Sequence, residues 1–139
     1  MAVEITGRYT GKLKTEMVHG PSGVALRTAA PVDNQGDGSS FSPTDLVAAA
    51  LASCMVTTMA IAGERQGVDL SGVSFRVEKH MTDTPPRAIA RLPIEIHMPA
   101  SLQPEDRQRL ERAAHNCPVH RSLLPEIEKD VRFVYDVTG

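Results

Sequence analysis

The sequence predicts an α+β fold, and three features of the chain indicate that class. Residues 1–28 alternate between apolar and polar side chains, as half-buried strands do. Residues 42–66 form one long apolar stretch with helix-start residues before it and a glycine after it. More strand-like stretches and a second helical pattern follow, without repeats, low-complexity tracts or linkers. We therefore expect a single domain over residues 1–139, which is long enough to bury a core.

The N-terminal third is expected to be a block of three strands. The strand-like stretches are residues 1–10, 13–18 and 24–28. A turn is predicted at residues 19–23, which read HGPSG, because glycine and proline favour the backbone angles of tight turns. Residues 31–40 are rich in Asp, Asn and Gly and are predicted to form a loop.

A long central helix is predicted to begin after Ser42. Ser42 is a favourable N-cap, Pro43 fits the first helical position, and Asp45 lies three residues after the cap. The helix is expected to continue to Gln66 and to stop at Gly67. Its predicted inward stripe is Val47, Ala50, Leu51, Cys54, Thr57, Thr58 and Ile61. Most other faces are also apolar, so we expect this helix to be buried at the centre of the fold.

The rest of the chain is expected to supply a hairpin, a pair of helices and a final strand. The predicted strands are residues 73–77, 90–98 and 131–137, and the predicted helices are residues 103–116 and a short one from 118 to near 125. Pro93 lies inside the second of these strands and cannot donate a backbone hydrogen bond. That strand is therefore predicted to lie at a sheet edge or to bulge at Pro93.

The charge and composition of the chain argue against several classes of partner. The chain has 15 basic and 17 acidic residues and no Trp, so neither a nucleic acid nor an anionic membrane is an expected partner. Residues 46–62 are short for a membrane span and include Ser and Thr, which favours a core helix. The N-terminus lacks the apolar core of a signal peptide, so we expect a cytoplasmic protein. In that compartment, a disulfide is more often transient and catalytic than structural.

Cys54 and Cys117 are the only cysteines of the chain. Pro118 is a natural first helical residue, which places Cys117 at an N-cap, where the helix dipole favours a thiolate by ~0.3–1 kcal/mol. His115, His120 and Arg121 are near in sequence and could add to that effect. Local sequence therefore predicts that Cys117 is the more acidic thiol.

Cys54 has no such local help, since it lies about three turns into its helix and the dipole effect fades within the first turn. If Cys54 is a nucleophile, a cation from elsewhere must stabilise its thiolate. The candidates are Lys12, Lys14 and Arg27 from the strand block, and local sequence does not choose among them.

Two other interpretations of the cysteines remain open at this point. A lone cysteine on a buried, Ala-rich helix is commonly a small core residue with no chemistry. His115, Cys117 and His120 could supply mixed metal ligands, but their spacing does not match the usual zinc patterns. We therefore predict no metal site.

Two sequence motifs resemble those of a known family. The stretch FSPTDLVAAALASC at residues 41–54, followed by CPVH at residues 117–120, is similar to the OsmC/Ohr family of organic-hydroperoxide-reducing proteins. The match is closest to the OsmC-like branch and covers nearly the whole chain. The resemblance implies an intertwined homodimer with central long helices, and active sites at the interface between the subunits.

The resemblance also implies a chemistry for the two thiols. Cys54 matches the peroxidatic cysteine, which attacks a hydroperoxide to give a sulfenic acid. Cys117 matches the resolving cysteine, which condenses with it to a disulfide that a cellular dithiol then reduces. No metal or organic cofactor is implied. This assignment makes Cys54 the nucleophile, although local sequence predicts that Cys117 is the more acidic thiol. It therefore requires a cation that the fold or a second chain brings to Cys54.

One departure from the family pattern favours an alternative. The best-studied branches carry Pro-Glu at the helix start, where the Glu holds an activating Arg, whereas here Thr44 follows Pro43. Asp45 lies about 100° further around the helix and does not replace that Glu. The family Arg is matched in this chain only by Lys12 or Lys14, or by the more distant Arg27. The alternative is therefore a non-enzymatic small-molecule binding protein on the same fold.

Overall fold

The computed structural model describes residues 1–138 and has two compact units, Met1–Leu46 and a second that begins at Val47. The predicted mixture of strands and helices is confirmed. The expectation of one domain over residues 1–139 stays a prediction.

The first unit contains an antiparallel sheet of three strands in the order β1-β2-β3. Their bounds are Ile5–Gly11 for β1, Lys14–His19 for β2 and Ala25–Ala29 for β3. Thr15 on β2 pairs with Tyr9 on one side and with Thr28 on the other. This confirms the predicted strand block. The expected loop at residues 31–40 contains one short 3-10 turn at Val32–Asn34.

The long helix α1 is Pro43–Glu64. The Asp45 amide donates to Ser42 Oγ at 3.1 Å, and the Ser42 amide donates to Asp45 Oδ2 at 2.8 Å. This is the reciprocal capping predicted from the sequence. The helix ends two residues earlier than predicted, and Gly67 follows in the left-handed conformation with φ +73°. By length and composition α1 could cross a membrane, but core helices of soluble proteins pass the same test.

The predicted inward stripe of α1 was partly wrong. The buried residues are Ala48, Leu51, Ala52, Met55, Met59 and Gly63. Of the predicted stripe, Leu51 is buried and Cys54 half-buried, whereas Ala50, Thr57 and Ile61 are exposed. The reason is that α1 is apolar on nearly every face, so its hydrophobic pattern does not single out the side that meets the core.

The second unit contains a three-stranded sheet in the order β4-β7-β8 and a two-stranded sheet of β5 and β6. The strands are β4 Ser74–Val77, β5 His80–Met81, β6 Ile89–Arg91, β7 Ile94–Pro99 and β8 Val131–Val137. β7 pairs antiparallel with β4 and parallel with β8.

The edge position predicted for the strand containing Pro93 was wrong. The stretch divides at Leu92 and Pro93 into β6 and β7, and β7 is the central strand of its sheet. Because Pro93 lies between the two strands, its missing N–H removes no bond from either ladder. Its carbonyl accepts a hydrogen bond from the Glu78 amide at 3.1 Å.

Two helices follow β7: α2 is Pro104–His115 and α3 is Pro118–Ser122, as predicted. One apolar core joins α1, β7 and α2. Its fully buried members include Leu51, Met55, Leu92, Ile96, Met98 and Leu110. Cys117 belongs to the same core, and Cys54 packs against it. The second unit therefore buries the region that holds both cysteines.

Candidate active site

Cys117 is the N-cap residue of α3 and is fully buried. Its sulfur accepts a hydrogen bond from the His120 amide at 3.3 Å. Pro118 occupies the first turn, where its lack of an N–H has no cost. The predicted N-cap position is therefore confirmed, and the sulfur satisfies a backbone donor at the start of α3.

Cys54 lies on α1 and is half-buried, so it is more open to solvent than Cys117. Thr58 is one helical turn later, and its Oγ1 lies 4.0 Å from Cys54 Sγ. The sequence placed Thr58 on the same stripe as Cys54 but assigned it no contact with the sulfur.

The fold brings the two cysteines together. Cys54 is near enough to influence the Cys117 thiol, and both residues are free thiols. Burial raises the pKa of Cys117, and the neighbouring Cys54 raises it further. The His120 amide lowers the pKa of Cys117, as expected at an N-cap, but burial is the larger effect. The pKa of Cys117 is therefore raised, whereas its N-cap position alone predicted a lowered one, because the local argument left out desolvation.

The three candidate cations lie in the first unit. Lys14 Nζ pairs with Asp37 Oδ2 at 2.9 Å, and Arg27 Nε pairs with Glu16 Oε2 at 3.3 Å. Lys12 lies in the turn between β1 and β2, with φ 56°. Lys14 and Arg27 thus each have a carboxylate partner in their own unit. Activation of Cys54 by one of these three cations stays a prediction.

Two histidines lie near Cys117 in sequence, and their rings make an edge-to-face contact. The His115 and His120 ring centroids are 5.8 Å apart at an interplanar angle of 73°. His115 Nδ1 donates to the Glu111 carbonyl at 2.8 Å. Burial lowers the pKa of His120, and the charges of Lys129 and His115 lower it further. His120 is therefore neutral at neutral pH.

The hypothesis of a metal bound by His115, Cys117 and His120 has no geometric support. In residues 1–138, no three His, Cys, Asp or Glu side chains are arranged to hold an ion. The Cys117 sulfur instead accepts a backbone hydrogen bond from His120.

A polar cluster that the sequence analysis missed anchors α2, the helix that leads to the site. The Tyr135 hydroxyl on β8 donates a short hydrogen bond to Glu111 Oε2. The Arg107 guanidinium lies 4.1 Å from the centroid of the Tyr135 ring and donates from Nε to the Leu102 carbonyl at 2.9 Å. No local signal could have revealed this cluster, because Tyr135 and Glu111 belong to elements that meet only after folding.

The helix start also differs from the family pattern as the sequence analysis expected. Thr44 follows Pro43, and its hydroxyl lies 3.2 Å from Ser42 Oγ. The Asp45 carboxylate accepts the Ser42 amide and so belongs to the helix cap.

Comparison with known proteins gives a consistent assignment. Residues 36–132 match the family model of OsmC-like protein. A comparison with curated proteins finds no significant match.

Solved structures with the same fold include three that are informative. A Psychrobacter arcticus protein, provisionally described as an osmotic stress induced and detoxification response protein, is 36% identical, with a TM-score of 0.87 over 96% of this chain and 95% of that chain. The organic hydroperoxide resistance protein OsmC of Legionella pneumophila is 19% identical, with a TM-score of 0.76 over 96% and 97%. The organic hydroperoxide resistance protein OhrB of Bacillus subtilis is 17% identical, with a TM-score of 0.67 over 96% and 98%.

Proposed function

This chain belongs to the OsmC/Ohr family, and from that premise we propose that it is a thiol peroxidase that reduces organic hydroperoxides. The family is linked to oxidative stress and hydroperoxide resistance. The observation that carries the proposal is the contact between Cys117 and Cys54, the only two cysteines of the chain. Two thiols that lie near each other in the folded chain can form a disulfide when a movement brings the two sulfurs to bonding distance.

Cys54 is the peroxidatic residue in this proposal. Its thiolate attacks the terminal oxygen of the hydroperoxide and the O–O bond breaks. The alkoxide that is released takes up a proton and leaves as the alcohol. Cys54 is then a sulfenic acid. The partial exposure of Cys54 supports this order, because a hydroperoxide must reach the attacking sulfur, whereas Cys117 is fully buried. The raised pKa of Cys117 also supports it, because that group is held as a thiol at neutral pH.

Cys117 is the resolving residue. The Cys117 thiol loses its proton as its sulfur attacks the oxidised sulfur of Cys54, the S–O bond breaks, and the departing hydroxide takes up a proton and leaves as water. A cellular dithiol then reduces the resulting disulfide by thiol–disulfide exchange. The cycle uses no metal and no organic cofactor, and we place it in the cytoplasm, where such dithiols are available.

We further propose that the active form is a homodimer. On the first sheet, Ile5, Tyr9 and Leu26 share one face and are 63%, 65% and 41% exposed. On α1, Ile61 is 50% exposed. Apolar side chains that remain this open in one chain are suited to contact with a second copy.

The peroxidase proposal is tested by adding one equivalent of cumene hydroperoxide to the reduced protein. We expect mass spectrometry to find a disulfide between Cys54 and Cys117. The variant Cys117→Ser should stop at a sulfenic acid on Cys54, which dimedone traps. Peroxide consumption by Cys54→Ser at the wild-type rate would rule the proposal out.

The second candidate is a non-enzymatic binding protein on the same fold. It is favoured by Thr44 at the helix start and by the use of the Asp45 carboxylate in the helix cap. If it is correct, a small apolar ligand should raise the melting temperature equally in wild type and in Cys54→Ser. The protein should then show no hydroperoxide-dependent disulfide.

A further inference from the structure

A thiolate on Cys54 needs a hydrogen-bond donor, and this inference rests on the proposed function. Cys54 lies in the middle of α1, where the backbone N–H groups already bond to carbonyls one turn earlier. Cys117 differs, because its sulfur accepts the His120 amide at a helix start. Lys14 and Arg27, two of the candidate cations, pair with carboxylates of the first unit. A donor that α1 itself supplies to the Cys54 sulfur must therefore be a side chain.

Thr58 is the side chain that α1 places beside this sulfur. Residues four apart lie on the same face of a helix, and helical side chains lean toward the N-terminus, so residue 58 points back toward residue 54. Thr58 Oγ1 lies 4.0 Å from Cys54 Sγ, in the outer range of hydrogen bonds to sulfur. Because Thr is branched at Cβ, its χ1 angle has few choices in a helix, which limits the movement of this hydroxyl.

The surroundings of this pair are suited to a hydrogen bond. Cys54 and Thr58 are both half-buried, and the residues that follow each of them, Met55 and Met59, are fully buried. The pair therefore lies at the border of the core, where a reagent can reach the sulfur but water surrounds it only in part. A hydrogen bond in such a setting is electrostatically stronger than in bulk water.

We propose that Thr58 holds Cys54 in its attacking form through a hydrogen bond from the Thr58 hydroxyl to the Cys54 thiolate. A thiolate carries no proton, so the hydroxyl is the donor once Cys54 has ionised. Hydrogen bonds to charged groups are shorter and stronger than neutral ones, so the separation of 4.0 Å should shorten on ionisation. Thr58 neither gains nor loses a proton in this role. It is a positioning residue, and Cys54 remains the nucleophile.

This hydrogen bond has two opposing effects on the reactivity of Cys54. It raises the fraction of thiolate at neutral pH, because it favours the charged form of the sulfur. It also makes that thiolate a weaker nucleophile, and for attack on a disulfide this loss cancels somewhat less than half of the gain on a logarithmic scale. Removal of the hydroxyl should therefore slow Cys54 at neutral pH and accelerate it at alkaline pH, where the sulfur is fully ionised.

The test uses the variant Cys117→Ser as the parent, in which Cys54 is the only thiol. This parent also removes the titratable group that faces Cys54 from the start of α3. Dithiodipyridine, a neutral disulfide, reacts with Cys54 and releases thiopyridone, which is followed by its absorbance. The rate is measured against pH in the parent and after adding Thr58→Val, Thr58→Ser or the control Thr57→Val. Valine keeps the branch at Cβ without a hydroxyl, serine keeps the hydroxyl without the methyl group, and Thr57 is exposed.

We expect the pH of half-maximal rate to be about one unit higher in Thr58→Val than in the parent, as loss of one hydrogen bond to an anion produces. The rate of this variant should be about threefold lower at neutral pH and about threefold higher on the alkaline plateau. Thr58→Ser and Thr57→Val should both follow the parent. Local misfolding would not make the two profiles cross, because it would shift the rate in one direction at every pH.

Three results would overturn the role of Thr58. One is a profile of Thr58→Val that coincides with the parent, and another is a uniform change in its rate at every pH. The third is a Thr58→Ser profile that matches Thr58→Val, because the effect would then come from the methyl group and its packing.

The peroxidase proposal is judged separately, by oxidation of Cys54 with cumene hydroperoxide. If the profiles cross but cumene hydroperoxide leaves Cys54 reduced, the peroxidase proposal fails and the hydrogen bond from Thr58 stands. If cumene hydroperoxide oxidises Cys54 but the profiles coincide, the peroxidase proposal stands and the role of Thr58 is overturned.

Discussion

The buried sulfur of Cys117 lies near Cys54 of α1, and it accepts a hydrogen bond from the His120 amide at the start of α3. These two neighbours shift the pKa of the Cys117 thiol in opposite directions. The nearby Cys54 raises the pKa of Cys117, and the His120 amide lowers it. The effect of burial on the pKa is larger than either of these effects, so the net shift is upward. Cys117 is therefore protonated in the reduced site.

This raised pKa predicts a loss of stability at alkaline pH. The folded state holds the Cys117 proton more tightly than the unfolded state, where a thiol titrates near ~8.5. The free energy of unfolding should therefore fall as the pH rises from about that value through the folded pKa, by at most ~1.4 kcal/mol per pH unit for one proton. Urea unfolding of the reduced protein between neutral and alkaline pH measures this slope.

Cys117→Ser is the matched variant for that measurement. Serine retains the ability to cap α3 but does not titrate in this range. Its unfolding free energy should fall less steeply than that of wild type. Equal slopes in the two proteins would show that Cys117 has no raised pKa.

The cap of α1 predicts a pair of stability changes. Ser42 and Asp45 satisfy each other's amides at the helix start. Ser42→Ala and Asp45→Ala should each lower the free energy of unfolding by about 0.5–2 kcal/mol, because a helix donor loses its partner. The double variant should lose less than the sum of the two, since both serve one cap. Urea denaturation at fixed protein concentration measures all three.

Glu64→Ala is the control at the opposite end of α1. Glu64 is exposed, so this change should alter the free energy of unfolding by less than about 0.5 kcal/mol. A loss in the control as large as that in Ser42→Ala would indicate that the cap is not the cause.

The polar cluster on α2 predicts that the Tyr135 hydroxyl contributes more to the free energy of unfolding than the Tyr9 hydroxyl does. Tyr135→Phe removes the hydrogen bond to Glu111 and should cost about 1.5–3 kcal/mol, the range for bonds to charged groups. Tyr9→Phe also removes a hydroxyl, which accepts from the Leu13 amide at 3.1 Å. Tyr9 is 65% exposed, so water can replace that bond, and its loss should cost less than about 0.5 kcal/mol. Thermal and urea unfolding compare the two; similar losses would contradict this assignment.

Features encoded by neighbouring residues could be predicted from the sequence. The cap at Ser42 and Asp45, the stop at Gly67 and the N-cap position of Cys117 all depend on spacings of a few residues. The three strands of the first sheet followed from the alternation of side chains, since one face of a strand differs chemically from the other.

Features set by distant parts of the chain could not be predicted in this way. The buried face of α1 depends on which elements pack against it, and the uniform apolarity of the helix hides that choice. The pKa of Cys117 depends on desolvation in the finished core, which no local motif reports. The contact between Cys117 and Cys54 was expected only from resemblance to a family, because spacing alone left the two thiols unconnected.

The exposed side of α1 predicts that a charge introduced there will disrupt the dimer. Ile61 is 50% exposed, and a charge there would have to be desolvated in a helix-to-helix contact between two copies. We expect Ile61→Glu to shift the protein from dimer to monomer, measured by light scattering after size-exclusion chromatography. Leu124→Glu introduces the same charge at an apolar residue that is 65% exposed and lies outside α1, and it should leave the mass unchanged. A wild-type protein that is monomeric at micromolar concentration would refute the proposed dimer. A dimeric Ile61→Glu would place the contact on another surface, with the face of Ile5, Tyr9 and Leu26 on the first sheet as the next to test.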